Sequence, residues 1–283
     1  MDWSPTSDVR LRYSYDRAVR APNVQELFSP ASVLLDSSIT SDPCAGATPK
    51  FTLAQCERTG ITAAQYGGIV ANPSAQYNGL QGGNPHLQPE IADTRSFGVV
   101  FTPSFVPGLA ASIDYYNIYF TGLIGVTGAT NILDQCALTG SASFCGLVHR
   151  APTTGSLWLS TAGYIVDTEL NTGYIETDGI DLDLKYGTPL PAGFGHLSAN
   201  LAANWLHEFV VEPYIGAAKY DCAGLYGSTC SNGVETTAEP LPKFRSRFTT
   251  TWATPWLGLD ATLTRRHIQR TTNEGEYSAE DDQ

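Results

Sequence analysis

Charged residues recur at alternate positions in several short segments. Arg10 and Arg12, Asp181 and Asp183, and Arg245 and Arg247 are each separated by one residue, and Asp114, Asp260, Arg266, Lys185 and Asp16 extend the set. Paired carboxylates could act as acid and base at a glycosidic bond. Guanidinium groups could bind an anion. A mixture of both signs could instead neutralise itself. The six cysteines offer a second chemistry. They show neither C-x-x-C nor His-flanked spacing, which argues against zinc. They fall in three local pairs, Cys44/Cys56, Cys136/Cys145 and Cys222/Cys230, each outside the regular segments. Several connectivities are open to six cysteines; locality selects nearest-neighbour disulfides, and with them an oxidising compartment. The histidines at 86, 149, 196, 207 and 267 lack metal-ligand spacing, although His149 and Arg150 stand together in a long loop where they could touch a ligand. No G-x-S-x-G, H-E-x-x-H or Ser–His–Asp ordering is present, so the reading is a non-enzyme with no cofactor and no metal.

The elements that position these charges are strands. In 8–17, Val9, Leu11, Tyr13 and Tyr15 share one face while Arg10, Arg12, Ser14 and Asp16 share the other, the period of a half-buried strand. The same alternation runs through 93–101, 110–120, 177–186, 196–205, 243–252 and 259–266, about seven strands of about 9–11 residues, the length that crosses a bilayer when tilted. Past Tyr116 the alternation blurs, which suggests a bulge there. Aromatics such as Tyr15, Phe101, Tyr115, Tyr186, Trp205 and Trp252 cluster at strand ends on the apolar face, as interfacial girdles would. Tight turns at 103–108, 189–195 and 255–258 close three hairpins, and loops of roughly 30 to 70 residues separate them, an asymmetry typical of a transmembrane β-barrel wall. On such a wall the large polar-face charges line a water-filled lumen, and Asp181/Asp183 are solvated there rather than catalytic.

Composition agrees. Hydrophobic residues make up 42% of the 283, yet no run reaches the roughly 18 apolar residues of a transmembrane helix. Charged residues are only 16%, below the roughly 25% of soluble domains. The net charge of −12 argues against a nucleic-acid partner, whose phosphates would go unneutralised. The acidic stretch 274–283 reads as a solvated loop. The N-terminal segment has no signal-peptide character, so the chain reads as a piece of a longer exported protein.

Two loop segments are more specific than the strands. Arg20, Pro22, Glu26, Leu27 and Phe28 fit an R-x-P-x-x-x-E-L-F pattern directly after the first strand. Asn84, Pro85, Leu87, Pro89 and Glu90 fit N-P-x-L-x-P-E directly before the second. With Trp3-Ser4-Pro5, Leu11-Arg12-Tyr13-Ser14-Tyr15, Pro107-Gly108-Leu109, the run from Ser112 to Ile118, Thr177-Asp178-Gly179-Ile180-Asp181 and the loop from Tyr220 to Gly227, they closely resemble the barrel of TonB-dependent outer-membrane receptors. The resemblance covers essentially the whole chain. It implies an all-β fold: a segment of antiparallel transmembrane barrel, a meander with long extracellular loops, corresponding to about strands 13 to 19 of a barrel of about 22. Residues 1–283 would then be a partial barrel domain, not closed by itself, without the plug domain, the TonB box or the terminal strand. The implied partners are the outer-membrane bilayer, the plug, the remaining strands, an unknown small ligand and, through the missing N-terminal part, the TonB complex. The implied function is uptake of a scarce nutrient, such as a siderophore or a carbohydrate, driven by TonB-transmitted energy across the Gram-negative outer membrane.

Within that resemblance, Arg20, Asn23 and Glu26 are either a lumen-facing cluster that contacts plug or ligand, or a turn held by an Arg20–Glu26 pair. Asn84, Pro85, Pro89 and Glu90 either set a rigid lead-in to the strand or contact ligand. The lumenal charges (Arg10, Arg12, Asp114, Asp181, Asp183, Arg245, Arg247, Asp260 and Arg266) are either a mutually neutralising ladder that also holds the plug or a path for an anion. A rival reading from another class is a secreted or surface β-sandwich, adhesin-like, that binds through disulfide-tied loops. The two differ in where the apolar faces go: inward between two sheets in the sandwich, outward from one curved sheet in the barrel.

Overall fold

The computed structural model describes residues 1–227, 230 and 239–275. Most of the acidic stretch 274–283, including Asp281 and Asp282, lies outside the described residues. In chain order the strands longer than two residues are β1 (Val9–Arg20), β2 (Ser32–Asp36), β3 (Tyr77–Gln81), β4 (Glu90–Phe101), β5 (Leu109–Thr121), β6 (Tyr164–Val166), β7 (Tyr174–Pro189), β8 (His196–Glu212), β9 (Phe244–Ala253) and β10 (Asp260–Ile268). The α-helices are α1 (Val24–Phe28), α2 (Leu53–Arg58), α3 (Ala129–Thr139) and α4 (Ala142–Cys145). No described helix is long and apolar enough to cross a membrane.

The chain divides into two units. The first is Met1–Arg20, Ile91–Thr121 and Gly173–Gln283. Its long strands form one sheet, in the order β1-β4-β5-β7-β8-β9-β10, and the pairs from β4 onward are antiparallel. These are the seven strands that alternation predicts. Register carries apolar residues onto apolar neighbours through most of the sheet: Ile113 faces Val99 and Leu182, and Leu201 faces Leu184 and Phe248, while at its β10 end Phe248 faces Arg265 and Leu263 faces Thr250. This side is uncovered. Ile113 is 53% exposed and Leu263 68% exposed, where a second packed sheet would have buried them. Two sheets facing across a dry core, as a sandwich requires, do not occur among the described residues.

The bulge lies elsewhere than the blurred alternation past Tyr116 suggests. Strand β5 keeps one register along its length against both neighbours. The irregularity lies in β8, where Asp178 pairs with Glu208 but Gly179 pairs with Leu206, leaving His207 as the extra residue. A bulge inverts the parity of everything beyond it. The period-two pattern of β8 therefore breaks after Trp205, although the strand continues to Glu212. Glycine at 179 belongs to the same feature. A Cβ there would lie 2.5 Å from the Tyr116 Oη and from the Trp205 carbonyl oxygen, so the Tyr116 ring occupies space that no other residue type at 179 would leave.

The second unit, Ala21–Glu90 and Gly122–Thr172, is built from the two longest loops. Their turn-rich composition does not signal it, but they fold around a core of their own. A four-stranded sheet contains β2, β3, β6 and the short strand Val148–His149. The α3 residues Ile132, Leu133 and Cys136 pack beside Ile39, Tyr77, Leu157 and Ile165. A second cluster joins Cys44, Phe51, Cys56, Ile61, Ile69 and Ala137. Burying each of the large aliphatic side chains contributes about 1.5–3 kcal/mol. The disulfides Cys44–Cys56 and Cys136–Cys145 close inside this unit with Cα separations of 5.7 and 4.7 Å. The third, Cys222–Cys230 at 5.5 Å, closes in the first unit. All three pair as locality predicts.

Candidate functional site

The polar side of the first unit is a charged wall. A cavity of about 580 Å³ on it is lined by Arg12, Asp114, Asp181, Asp183, Arg245, Arg247 and Arg266, among others. Parity adds Arg10 on β1 and Asp260 on β10 to the same side. The charges are organised in two ways. Toward β1, Arg12 and Asp114 form a two-pronged ion pair, with Nε 2.7 Å from Oδ1 and Nη2 on Oδ2. This pair reaches across the intervening strand β4, which is open only because residue 98 is glycine. A Cβ at 98 would sit 1.9 Å from Asp114 Oδ1 and 2.7 Å from Arg12 Nε. Asp181 accepts a 2.9 Å hydrogen bond from Asn204, and Asp183 lies 3.2 Å from Lys185. Toward β10 the arrangement differs. Arg247 and Arg266 are register partners, Arg245 lies one pleat along β9, and none of the three forms an ion pair among the described residues. The wall is neutralised at its β1 end and basic at its β10 end.

In the second unit, the loop motifs form a structural base. Asn23 caps α1: its Oδ1 accepts from the N–H groups of Gln25 and Glu26, and Glu26 Oε2 accepts from the Asn23 N–H at 2.7 Å. This reciprocal cap satisfies helix donors that would otherwise be orphaned. The second motif docks on the first. Asn84 N–H donates to the Glu26 carbonyl at 2.7 Å, and Gly83 N–H to that of Ser29 at 3.0 Å. A Cβ at 83 would lie 2.7 Å from the Ser29 nitrogen. Glu90 accepts from the Ile124 N–H. Arg20, the last residue of β1, is exposed.

His149 and Arg150, neighbours in sequence, have opposite environments. His149 is exposed, its ring 4.8 Å from that of Tyr164. Arg150 turns inward, its side chain 1% exposed. It donates to both Asp42 oxygens at 2.7 and 3.0 Å, to Thr59 Oγ1 at 2.8 Å and to the Gly155 carbonyl at 2.9 Å. These four hydrogen bonds hold Arg150 inside the unit.

A second cavity, of about 600 Å³, lies within this unit and is lined by Asn23, Glu26, Asp36, Ser38, Asp167 and Glu169, among others. Neither Asp36 nor Asp167 is legible as a site in sequence. Topology joins them: Asp36 ends β2, Asp167 follows β6, and both strands pair with β3. Between them Gly79 again makes the room, since a Cβ there would meet Asp36 Oδ2 at 2.3 Å. Asp167 accepts from the Gly128 N–H at the start of α3, and Ser38 Oγ accepts from the Ala129 N–H, so this cluster supplies the cap that α3 lacks locally. Burial, then the charge of Asp36, pushes the Asp167 carboxyl up to about 6, against the Gly128 and Ser38 donors. Burial and then the Glu26 charge raise Glu169.

The sign for stability follows. Asp167 holds its proton more tightly folded than unfolded, where its ordinary value is 3.8. Its contribution to stability is therefore fully present below the unfolded value and is lost as pH rises from there through about 6, by about 3 kcal/mol in all. Asp167→Asn should flatten that window when unfolding of this unit is followed between pH 4 and 7 in chelator; an unchanged slope would show that another group titrates.

Near the bulge, Asp178, His207 and Glu208 bring potential ligand atoms within 4.8 Å of one another, with His207 Nδ1 3.0 Å from Asp178 Oδ1. Sequence spacing does not show this trio, because the bulge and strand pairing create it.

The sequence matches the family described as TonB dependent receptor-like, beta-barrel, over residues 1–282. Among solved structures it is similar to the ferric enterobactin receptor PfeA of Pseudomonas aeruginosa, with 14% identity and a TM-score of 0.49 over 95% of this chain and 28% of that one. It is also similar to the siderophore receptor PirA of Acinetobacter baumannii, with 12% identity and a TM-score of 0.48 over 95% and 29%. A third is the hemophore receptor HasR of Serratia marcescens, at 17% identity and a TM-score of 0.44 over 94% and 30%. The chain thus spans less than a third of the length of each. No curated protein matches it.

Proposed function

The chain belongs to the family of TonB-dependent receptor β-barrels, and from that premise we propose that it forms part of the wall of a Gram-negative outer-membrane receptor importing a scarce nutrient. The single observation that carries this reading beyond the family is the sidedness of the sheet. Its apolar face is uncovered, as a lipid-facing wall requires, while its opposite face gathers charge around a cavity. On this reading the second unit is extracellular and receives the ligand, a siderophore, a carbohydrate or another small solute. The plug domain and the remaining strands complete the barrel, and TonB supplies the energy. Arg245, Arg247 and Arg266 then offer a basic surface to an anionic group of the plug or of the ligand.

Uptake assays test this. A strain deleted for the gene should lose growth on one nutrient class under limitation and regain it on re-expression, and removing TonB should abolish that uptake. Uptake unaffected by TonB removal would overturn the proposal.

A further inference from the structure

Two buried carboxylates of the second unit, Asp36 and Asp167, form no ion pair among the described residues. The cavity beside them is lined by Glu26, Asp36, Asp167 and Glu169, among others, and among the described residues no lysine, arginine or histidine lines it. Asp36 and Asp167 are only 4% and 3% exposed. Three of the four oxygens lie within hydrogen-bond distance of a donor group, two of them sharing the one Ser38 hydroxyl proton. Ser38 gives its N–H and its hydroxyl to Asp36 Oδ1 at 2.8 and 2.6 Å, Gly128 N–H reaches Asp167 Oδ1 at 3.0 Å, and the Ser38 hydroxyl lies 3.3 Å from Asp167 Oδ2. Asp36 Oδ2 is buried with no hydrogen-bond partner. A buried acceptor left unmade costs free energy, and more so on a carboxylate that has no counter-charge. The glycine at 79 keeps the space beside this oxygen clear.

We propose that this cavity holds a divalent cation of the Ca²⁺ class, with Asp36 Oδ2 and the Asp167 carboxylate as its protein ligands and Glu26 and Glu169 adding charge around it. The donor set selects the ion. Every polar side-chain atom on offer is oxygen or an amide nitrogen, with no imidazole or thiolate to favour zinc. A cavity of this size, with carboxylates from separate loop segments, suits the larger, flexible oxygen shell of Ca²⁺ better than the tight octahedron of Mg²⁺. Because Asp36 and Asp167 come from loops far apart in sequence, the ion also ties the two loops together, independently of what the barrel transports.

Calcium binding to the purified protein in detergent decides it. After chelation, calorimetric titration should give one Ca²⁺ site with a dissociation constant in the range of about 0.1–1 mM typical of extracellular modules. Bound Ca²⁺ should slow proteolysis within 21–89 and 122–172, with Mg²⁺ much less effective. Asp36→Asn keeps the size and the Oδ1 acceptor; it should lose the Ca²⁺ response while the β-sheet circular dichroism stays as in the wild type. Glu169→Gln, further from the buried pair, should weaken binding several-fold. No Ca²⁺ binding by the wild type up to about 10 mM, or an unchanged response in a folded Asp36→Asn protein, would overturn the proposal in favour of a proton shared by the two carboxylates.

Discussion

Arg150→Met destabilises the loop unit by about 3–5 kcal/mol, the cost of leaving a buried carboxylate without its counter-ion. Asp42 and Arg150 form a pair whose side chains are both 1% exposed, and three further groups depend on it. Thr59 Oγ1 and the Gly155 carbonyl each accept from the guanidinium, and Asp42 also accepts from the Cys44 N–H at 2.9 Å, next to the Cys44–Cys56 disulfide. The double change Asp42→Leu with Arg150→Met removes both charges and should recover much of the loss, because the desolvation penalty goes with them. Limited proteolysis against denaturant reads this directly. If the single and double variants are equally stable, the pair does not hold this unit.

Ile113→Arg has the second large effect, about 2–4 kcal/mol against folding into bilayers, as expected for a charge facing lipid near the middle of a barrel strand. The neighbouring Ser112 provides the control. It lines the charged cavity and lies opposite Asp183, so Ser112→Arg should be tolerated or stabilising. Refolding into phospholipid vesicles, scored by urea titration, separates the two. Equal effects at 112 and 113 would mean that the sheet does not divide lipid from water.

The wall was legible because a strand has an integral side-chain period of two, and each apolar residue in 177–186 or 243–252 announces its own face. The local disulfides were legible for a similar reason, since neighbouring cysteines in one loop leave few geometries. What failed were features created by juxtaposition. The bulge at His207 inverts parity within β8, so the pattern ended at Trp205 while the strand did not. Alternation beyond Tyr116 blurred, not because β5 is irregular, but because Tyr116 and Ile118 line a cavity with Leu206, Phe209 and Leu241 on the otherwise polar side. The burial of Arg150 depends on Asp42, far away in sequence. Asp36 and Asp167 meet only through their shared neighbour β3. The glycines at 79 and 98, unremarkable in a Gly-rich chain, prove to be the clearances over which charged side chains cross a strand.

The most direct measurement is spin-label accessibility along β7 and β8 in lipid vesicles, with single nitroxides at 181 to 184 and at 200 to 204. The account predicts strict alternation: positions 182, 184, 201 and 203 open to oxygen dissolved in lipid and closed to a water-soluble nickel reagent, with the reverse at 181, 183, 200, 202 and 204. Uniform access of the water-soluble reagent to both sets, or alternation of the opposite phase, would contradict a lipid-facing receptor wall.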